Sequence, residues 1–107
     1  MNVEAQVVCK AAIDKWGKEK QLDMALEELS ELMKAIVKYR RHDYVPVWRI
    51  KTLEEVADVE LMCEQVKMLL GKEAEYNRIF MNKVQNLENI IHDDDPMRGL
   101  NVKKVKK

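Results

Sequence analysis

Apolar positions along this chain recur at intervals of three and four residues, the spacing of one face of an α-helix. Over residues 3–16, Val8, Cys9, Ala12, Ile13 and Trp16 keep that spacing. Gly17 follows as a stop, because glycine accepts the left-handed conformation that ends helices. Residues 20–41 predict a longer second helix with no clear cap at its start. Leu22, Ala25, Leu26, Leu29, Leu32, Met33 and Ile36 form its broad apolar arc, opposite a solvated stripe of Asp23, Glu27, Lys34, Lys38 and Arg41. A third helix is predicted from about Leu53 to Leu70, opened by Thr52 and Glu55 as a capping box and closed by Gly71. Its seam is Val56, Val59, Cys63, Val66 and Leu70, with Glu60, Glu64 and Lys67 turned to solvent. A fourth helix, from about Glu73 to Ile91, has its seam at Tyr76, Phe80, Leu87 and Ile90, and Lys83 stands where the spacing calls for an apolar residue.

The pattern fails in two places. In residues 42–51 Pro46 disfavours helix at Val45 and before it, so this stretch reads as a loop. It carries Tyr44 and Trp48, either as rings tucked onto the core or as a lid or contact between subunits. After His92 come Asp93 to Asp95, Pro96 and Gly99, then a run with Arg98, Lys103, Lys104, Lys106 and Lys107 and no acid. The expected organisation is therefore one all-α domain over residues 1–92, in the manner of a four-helix bundle, and a flexible charged tail over 93–107.

Composition narrows the function classes. A chain of 107 residues buries a modest core, and broad apolar arcs on so short a chain predict a homo-oligomer. Lys plus Arg and Asp plus Glu number 19 each, so net charge names no partner. The basic tail alone reads as a solvated end, not as a nucleic-acid site. Cys9 and Cys63 are too few for a disulfide framework, and both sit in helical patterns among apolar residues. They read as buried and reduced, in a cytoplasmic protein. The polar start has no signal-peptide character, and no apolar run is long enough to span a bilayer.

Candidate chemistry is then sparse. Ser30 and Thr52 are the only hydroxyls of their kinds, and His42 and His92 flank loops, so Ser/His or Cys/His catalysis has no constellation. No Cys/His cluster has zinc spacing, there is no Glu-x-x-His motif for a di-iron bundle, and the three glycines are too scattered for a phosphate-cradling loop. What remains is acidic. Glu28 and Glu31 are three apart on the second helix, and Glu55 and Asp58 are three apart on the third. Residues three apart share a helix face. Both pairs are displaced from their helix's solvent stripe, and small Ala35 leaves room beside the first. Two such helices side by side would aim four carboxylates into one gap, where they repel unless protonated or bridged by a hard cation such as Mg²⁺.

The pattern Glu28-x-x-Glu31, 23 intervening residues, then Glu55-x-x-Asp58, on consecutive helices, resembles the MazG-like nucleoside triphosphate pyrophosphohydrolases of the all-α NTP pyrophosphatase superfamily. The likeness runs from about Trp16 to Leu87 and includes Gln21, Glu27 and Leu32. It implies a MazG-type oligomeric fold, dimeric or tetrameric, and Mg²⁺-dependent hydrolysis of a nucleoside triphosphate to the monophosphate and pyrophosphate. The resemblance makes Glu28, Glu31, Glu55 and Asp58 the metal ligands, with Glu28 or Glu31 activating the water. It makes Lys83 a phosphate contact and places Trp16 and Gln21 near the base or sugar. Where many relatives carry an arginine three residues after the lysine, this chain has Asn86, within the expected substrate-binding set. The competing expectations are a non-catalytic helical interaction module and a degenerate family member that binds nucleotide without turnover.

Overall fold

The structure, a computed structural model, describes residues 1–93. Four α-helices follow one another: α1 (Val3–Trp16), α2 (Lys18–Arg41), α3 (Pro46–Leu70) and α4 (Glu73–Asp93). The described residues contain no strand, so the chain is all-α as its periodicity predicts. None of these helices is long and apolar enough to cross a membrane. The chain divides into two compact units, one of residues 1–70 and one from Gly71 onward. The tail expected after His92 lies outside the described residues, except for Asp93, which still belongs to α4.

In the first unit the helix ends follow from local chemistry. Asn2 caps α1, its Oδ1 accepting from the Ala5 amide at 2.7 Å. Gly17 serves both neighbouring helices. Its N–H donates to Ile13 at 2.8 Å, its carbonyl accepts from Gln21 at 3.1 Å, and no side chain caps α2. Its φ of 88° and ψ of 162° lie in a region essentially reserved for glycine.

The α2–α3 connection is shorter than the sequence suggests. Residues 46–51 are helical, and Pro46 opens α3 in the first position, where its missing N–H costs nothing and its fixed φ suits the helix. The real turn is His42 to Val45, with Asp43 and Tyr44 both left-handed at φ 56° and 60°. Tyr44 N–H donates to the Tyr39 carbonyl at 2.9 Å, and the two rings meet edge to face at 5.0 Å. Thr52 is therefore not a cap. It lies well inside α3, its Oγ1 2.7 Å from the Trp48 carbonyl and 3.3 Å from the Ala35 carbonyl. It ties α3 to α2 instead of starting α3.

Packing also departs from the apolar arcs. The buried line of α2 is Gln21, Ala25 and Ala35, and that of α3 is Met62, Glu64 and Gln65. Leu26, Leu29, Met33 and Ile36, members of the predicted arc, are exposed. On α3, Cys63 is exposed instead of buried, and Glu64 is buried instead of solvated. Small alanines let two helices approach closely, so α3 settles on the alanine line of α2 and leaves the bulkier leucines outside. Glu64 is paired there with Lys67, 2.9 Å away on the same helix. Cys9 is 1% exposed, and burial, then the charge of Glu64, push its thiol up towards the protonated form. In the second unit, α4 stacks Tyr76 on Phe80 at 5.8 Å, and none of its residues is buried.

Gly17→Ala should lower stability by about 1–3 kcal/mol, the cost of holding a non-glycine residue in that backbone region. Nothing lies within 4 Å of the added Cβ, so a loss seen in thermal or urea unfolding is a backbone effect. An unchanged midpoint would mean that the α1–α2 junction rearranges freely.

Candidate metal centre

The inward line of α2 runs Gln21, Ala25, Glu28 and Ala35, so Glu28 sits between two buried alanines on the face that meets α3. On α3, Glu55 lies two turns before the buried Met62 on the corresponding face. This places carboxylates at the contact between the two helices and not on their outer stripes. Glu28, Glu55 and Asp58 each offer one oxygen to a group whose members all lie within 4.8 Å of one another. Glu28 and Glu55 are half-buried and Asp58 is exposed, so the group opens to solvent on one side.

Two further observations bear on what such a group can hold. The Oε1 atom of Glu55 is buried and has no hydrogen-bond partner. A buried carboxylate oxygen without a donor is costly. No lysine, arginine or histidine among the described residues forms an ion pair with Glu28, Glu55 or Asp58. Burial, then the charges of Asp58, Glu55, Glu27 and Glu31 in that order, raise the Glu28 carboxyl above its ordinary value of 4.5. The donor set is all oxygen, and oxygens on opposite sides of one hard cation lie roughly 4–5 Å apart. An all-oxygen donor set of this kind suits a hard divalent cation, whose charge would cancel the repulsion.

The fourth acid stands slightly apart. Glu31 is outside the three-oxygen group, and its Oε2 lies 3.8 Å from Lys34 Nζ. With Glu55 it lines an adjoining cavity whose other walls are Lys34, Ala35, Lys38, Trp48 and Lys51. The tie from Thr52 to the Ala35 carbonyl holds α3 against α2 at this same level.

The remaining site residues expected from sequence are dispersed. Gln21 is 4% exposed and donates from Nε2 to Gln65 Oε1 at 2.7 Å, while its own Oε1 has no partner. It lies seven residues from Glu28, about 10 Å along the helix. Trp16 ends α1 half-exposed, with Lys15 Nζ 5.6 Å from its ring centroid. Lys83 and Asn86 are on α4, in the second unit. Sequence reasoning missed Gln65, which meets Gln21, and the basic wall of Lys34, Lys38 and Lys51. Lys34 and Lys38 were one turn apart and legible. Lys51 is hidden when residues 46–51 read as loop, although a proline is common at the first position of a helix.

No family model, curated protein or solved structure matches the chain.

The raised Glu28 carboxyl carries a pH signature. Between 4.5, its unfolded value, and its higher folded value, the native state holds more protons than the unfolded one, so stability falls as pH rises through that window. Above the window the penalty is constant. Metal-free Glu28→Gln should lack this component and melt higher than wild type at neutral pH. Thermal melts of both proteins from pH 4.5 to neutrality measure the difference. Parallel curves would show that Glu28 is not strained by its neighbours.

Proposed function

We propose that this chain is a Mg²⁺-dependent nucleoside triphosphate pyrophosphohydrolase of the MazG-like type, converting an NTP or dNTP to the monophosphate and pyrophosphate. The observation that carries the reading is the approach of one oxygen each from Glu28, Glu55 and Asp58 to within 4.8 Å of one another, together with a Glu55 whose Oε1 is buried without a partner. The resemblance in the spacing of the two acidic pairs supplies the reaction class. Glu28, Glu55 and Asp58 would hold the metal. Mg²⁺ bound there would neutralise phosphate charge and acidify a water.

The chain's own residues then have separate roles. Phosphoryl transfer depends on positioning and charge neutralisation more than on covalent help. Glu31 stays outside the three-oxygen group, one turn from Glu28, and so keeps oxygen atoms free to orient the attacking water and accept its proton. Glu28, closed in by Ala25 and Ala35, is a ligand instead of a base. Lys83 and Asn86 remain the proposed substrate contacts of α4, and Trp16 and Gln21 those of the base or sugar. Asn86 in place of arginine keeps open a degenerate member that binds nucleotide without turnover.

Exposure of Leu26, Leu29, Met33 and Ile36 along one side of α2 supports a homodimer or homotetramer, since a contiguous apolar face of this kind marks an interaction surface. The same face is what a purely structural interaction module would use, and that is the second reading. Response to Mg²⁺ separates the two.

A panel of nucleoside triphosphates with Mg²⁺ should yield pyrophosphate and monophosphate. Orthophosphate with a diphosphate left behind would point to another phosphohydrolase. Glu55→Gln should reduce turnover by more than the roughly 10–100-fold typical of losing an outer partner of a metal ligand. Mg²⁺ at 100 times its dissociation constant should stabilise the wild-type fold by about 2.7 kcal/mol. A melt indifferent to Mg²⁺ would favour the interaction module.

Assembly has its own check. Met33→Lys places a charge on the exposed face of α2 without touching the buried line. Light scattering should show wild type as an oligomer and this variant as a smaller species with unchanged helical circular dichroism. A monomeric wild type at micromolar concentration would remove the oligomer from the proposal.

A further inference from the structure

The cavity next to the carboxylates has a charge pattern that metal binding leaves unused. It encloses about 200 Å³. Pockets that hold a whole organic ligand span roughly 300–1,000 Å³, so this one suits part of a ligand. Its polar walls are Glu31, Lys34, Lys38, Lys51 and Glu55, with Trp48 beside them. That is three ammonium groups against two carboxylates. One of the three, Lys34, faces Glu31 at 3.8 Å, a long contact. Neither Lys38 nor Lys51 forms an ion pair with any described residue.

The indole explains why Lys38 stays there. Its Nζ lies 5.3 Å from the Trp48 ring centroid, within the range of a cation–π contact. His42 stacks on the same indole at 5.5 Å and 11°. Trp48 is thus already engaged by protein groups, and its part is to hold a cation at the cavity wall, not to receive a base. Glu55 belongs both to this wall and to the three-oxygen group. A ligand whose reacting phosphorus lay at the carboxylates would therefore extend its next charged groups into the cavity.

We infer that Lys34, Lys38 and Lys51 form a subsite for the terminal diphosphate of the substrate, the part released as pyrophosphate. The inference rests on the hydrolase reading and deepens it, by assigning the leaving group to α2 and α3 instead of to Lys83 of α4. In the step, water oxygen forms a bond to the α-phosphorus and the bond from that phosphorus to the bridging oxygen breaks. Its electron pair departs on the pyrophosphate, and the water proton passes to a carboxylate, Glu31 by position. Negative charge grows on the departing bridging oxygen, where compact, mobile ammonium groups are effective phosphate partners.

The test uses inorganic pyrophosphate and tripolyphosphate as probes, on the full chain, with Mg²⁺ and again with a chelator. Calorimetry measures affinity. Trp48 fluorescence, isolated in a Trp16→Phe background, reports occupancy directly. Wild type should bind both probes with a change in that fluorescence. Lys38→Gln and Lys51→Gln should each weaken binding about tenfold, raise the substrate KM, and leave the Mg²⁺-induced melting shift in place. Lys38→Arg, which keeps the charge over the indole, should restore most of the affinity, and its helical circular dichroism guards against misfolding. Lys83→Ala should change pyrophosphate affinity less than either lysine change in the cavity. The subsite is overturned if the Lys38→Gln/Lys51→Gln double variant binds pyrophosphate as wild type does, or if wild type binds neither probe. In the first case continued hydrolysis by wild type would leave the enzyme reading standing. Conversely, a wild type that neither responds to Mg²⁺ nor hydrolyses nucleotide, yet binds tripolyphosphate through these lysines in chelator, would end the hydrolase reading and keep an anion site.

Discussion

Repulsion between carboxylates held at a helix–helix contact is the constraint around which the first unit is arranged. Glu28, Glu55 and Asp58 bring oxygens within 4.8 Å of one another, and one of those residues has a buried oxygen with no donor. Nothing in their own neighbourhood offsets that cost. It is met elsewhere, by Met62 and the two alanines packed above and below, and by the Thr52 tie to the Ala35 carbonyl. Protonation of Glu28, whose carboxyl is raised by these neighbours, or a cation among the oxygens would relieve the repulsion.

The same contact sorts charge by sign. Acids gather at the level of Glu28, and lysines gather just beyond, around the cavity that Glu31 and Glu55 share with Lys34, Lys38 and Lys51. A chain with equal numbers of acidic and basic residues thereby presents a steep local gradient that its net charge conceals.

Buried polar groups elsewhere in the unit do different work. Gln21 with Gln65, and Glu64 with Lys67, replace apolar side chains in a core that is small for its chain length. Glu64 and Lys67 both belong to α3, whereas Gln21 reaches across from α2 to Gln65, and a hydrogen bond that demands its partner at one place fixes the register of the two helices more sharply than leucines would. That register is what sets Glu28 opposite Glu55.

Periodicity alone determined the all-α class, the extent of α1, and the C-terminal ends of α2 and α3. These are properties of local spacing, and local spacing is written in the chain. α3 starts at Pro46 and not at Leu53, because in the first turn a proline has no hydrogen bond to lose. Which face of α2 meets α3 was decided only in three dimensions. The hydropathy of Leu26, Leu29 and Met33 points to the leucine side of the arc, but close approach favours the line of Ala25 and Ala35, and Leu26, Leu29, Met33 and Ile36 stay exposed. Tertiary packing likewise separated Glu31 from the other three acids and brought Lys51 to Lys38. Such juxtapositions depend on the relative rotation of two helices, and no spacing within one helix contains that angle.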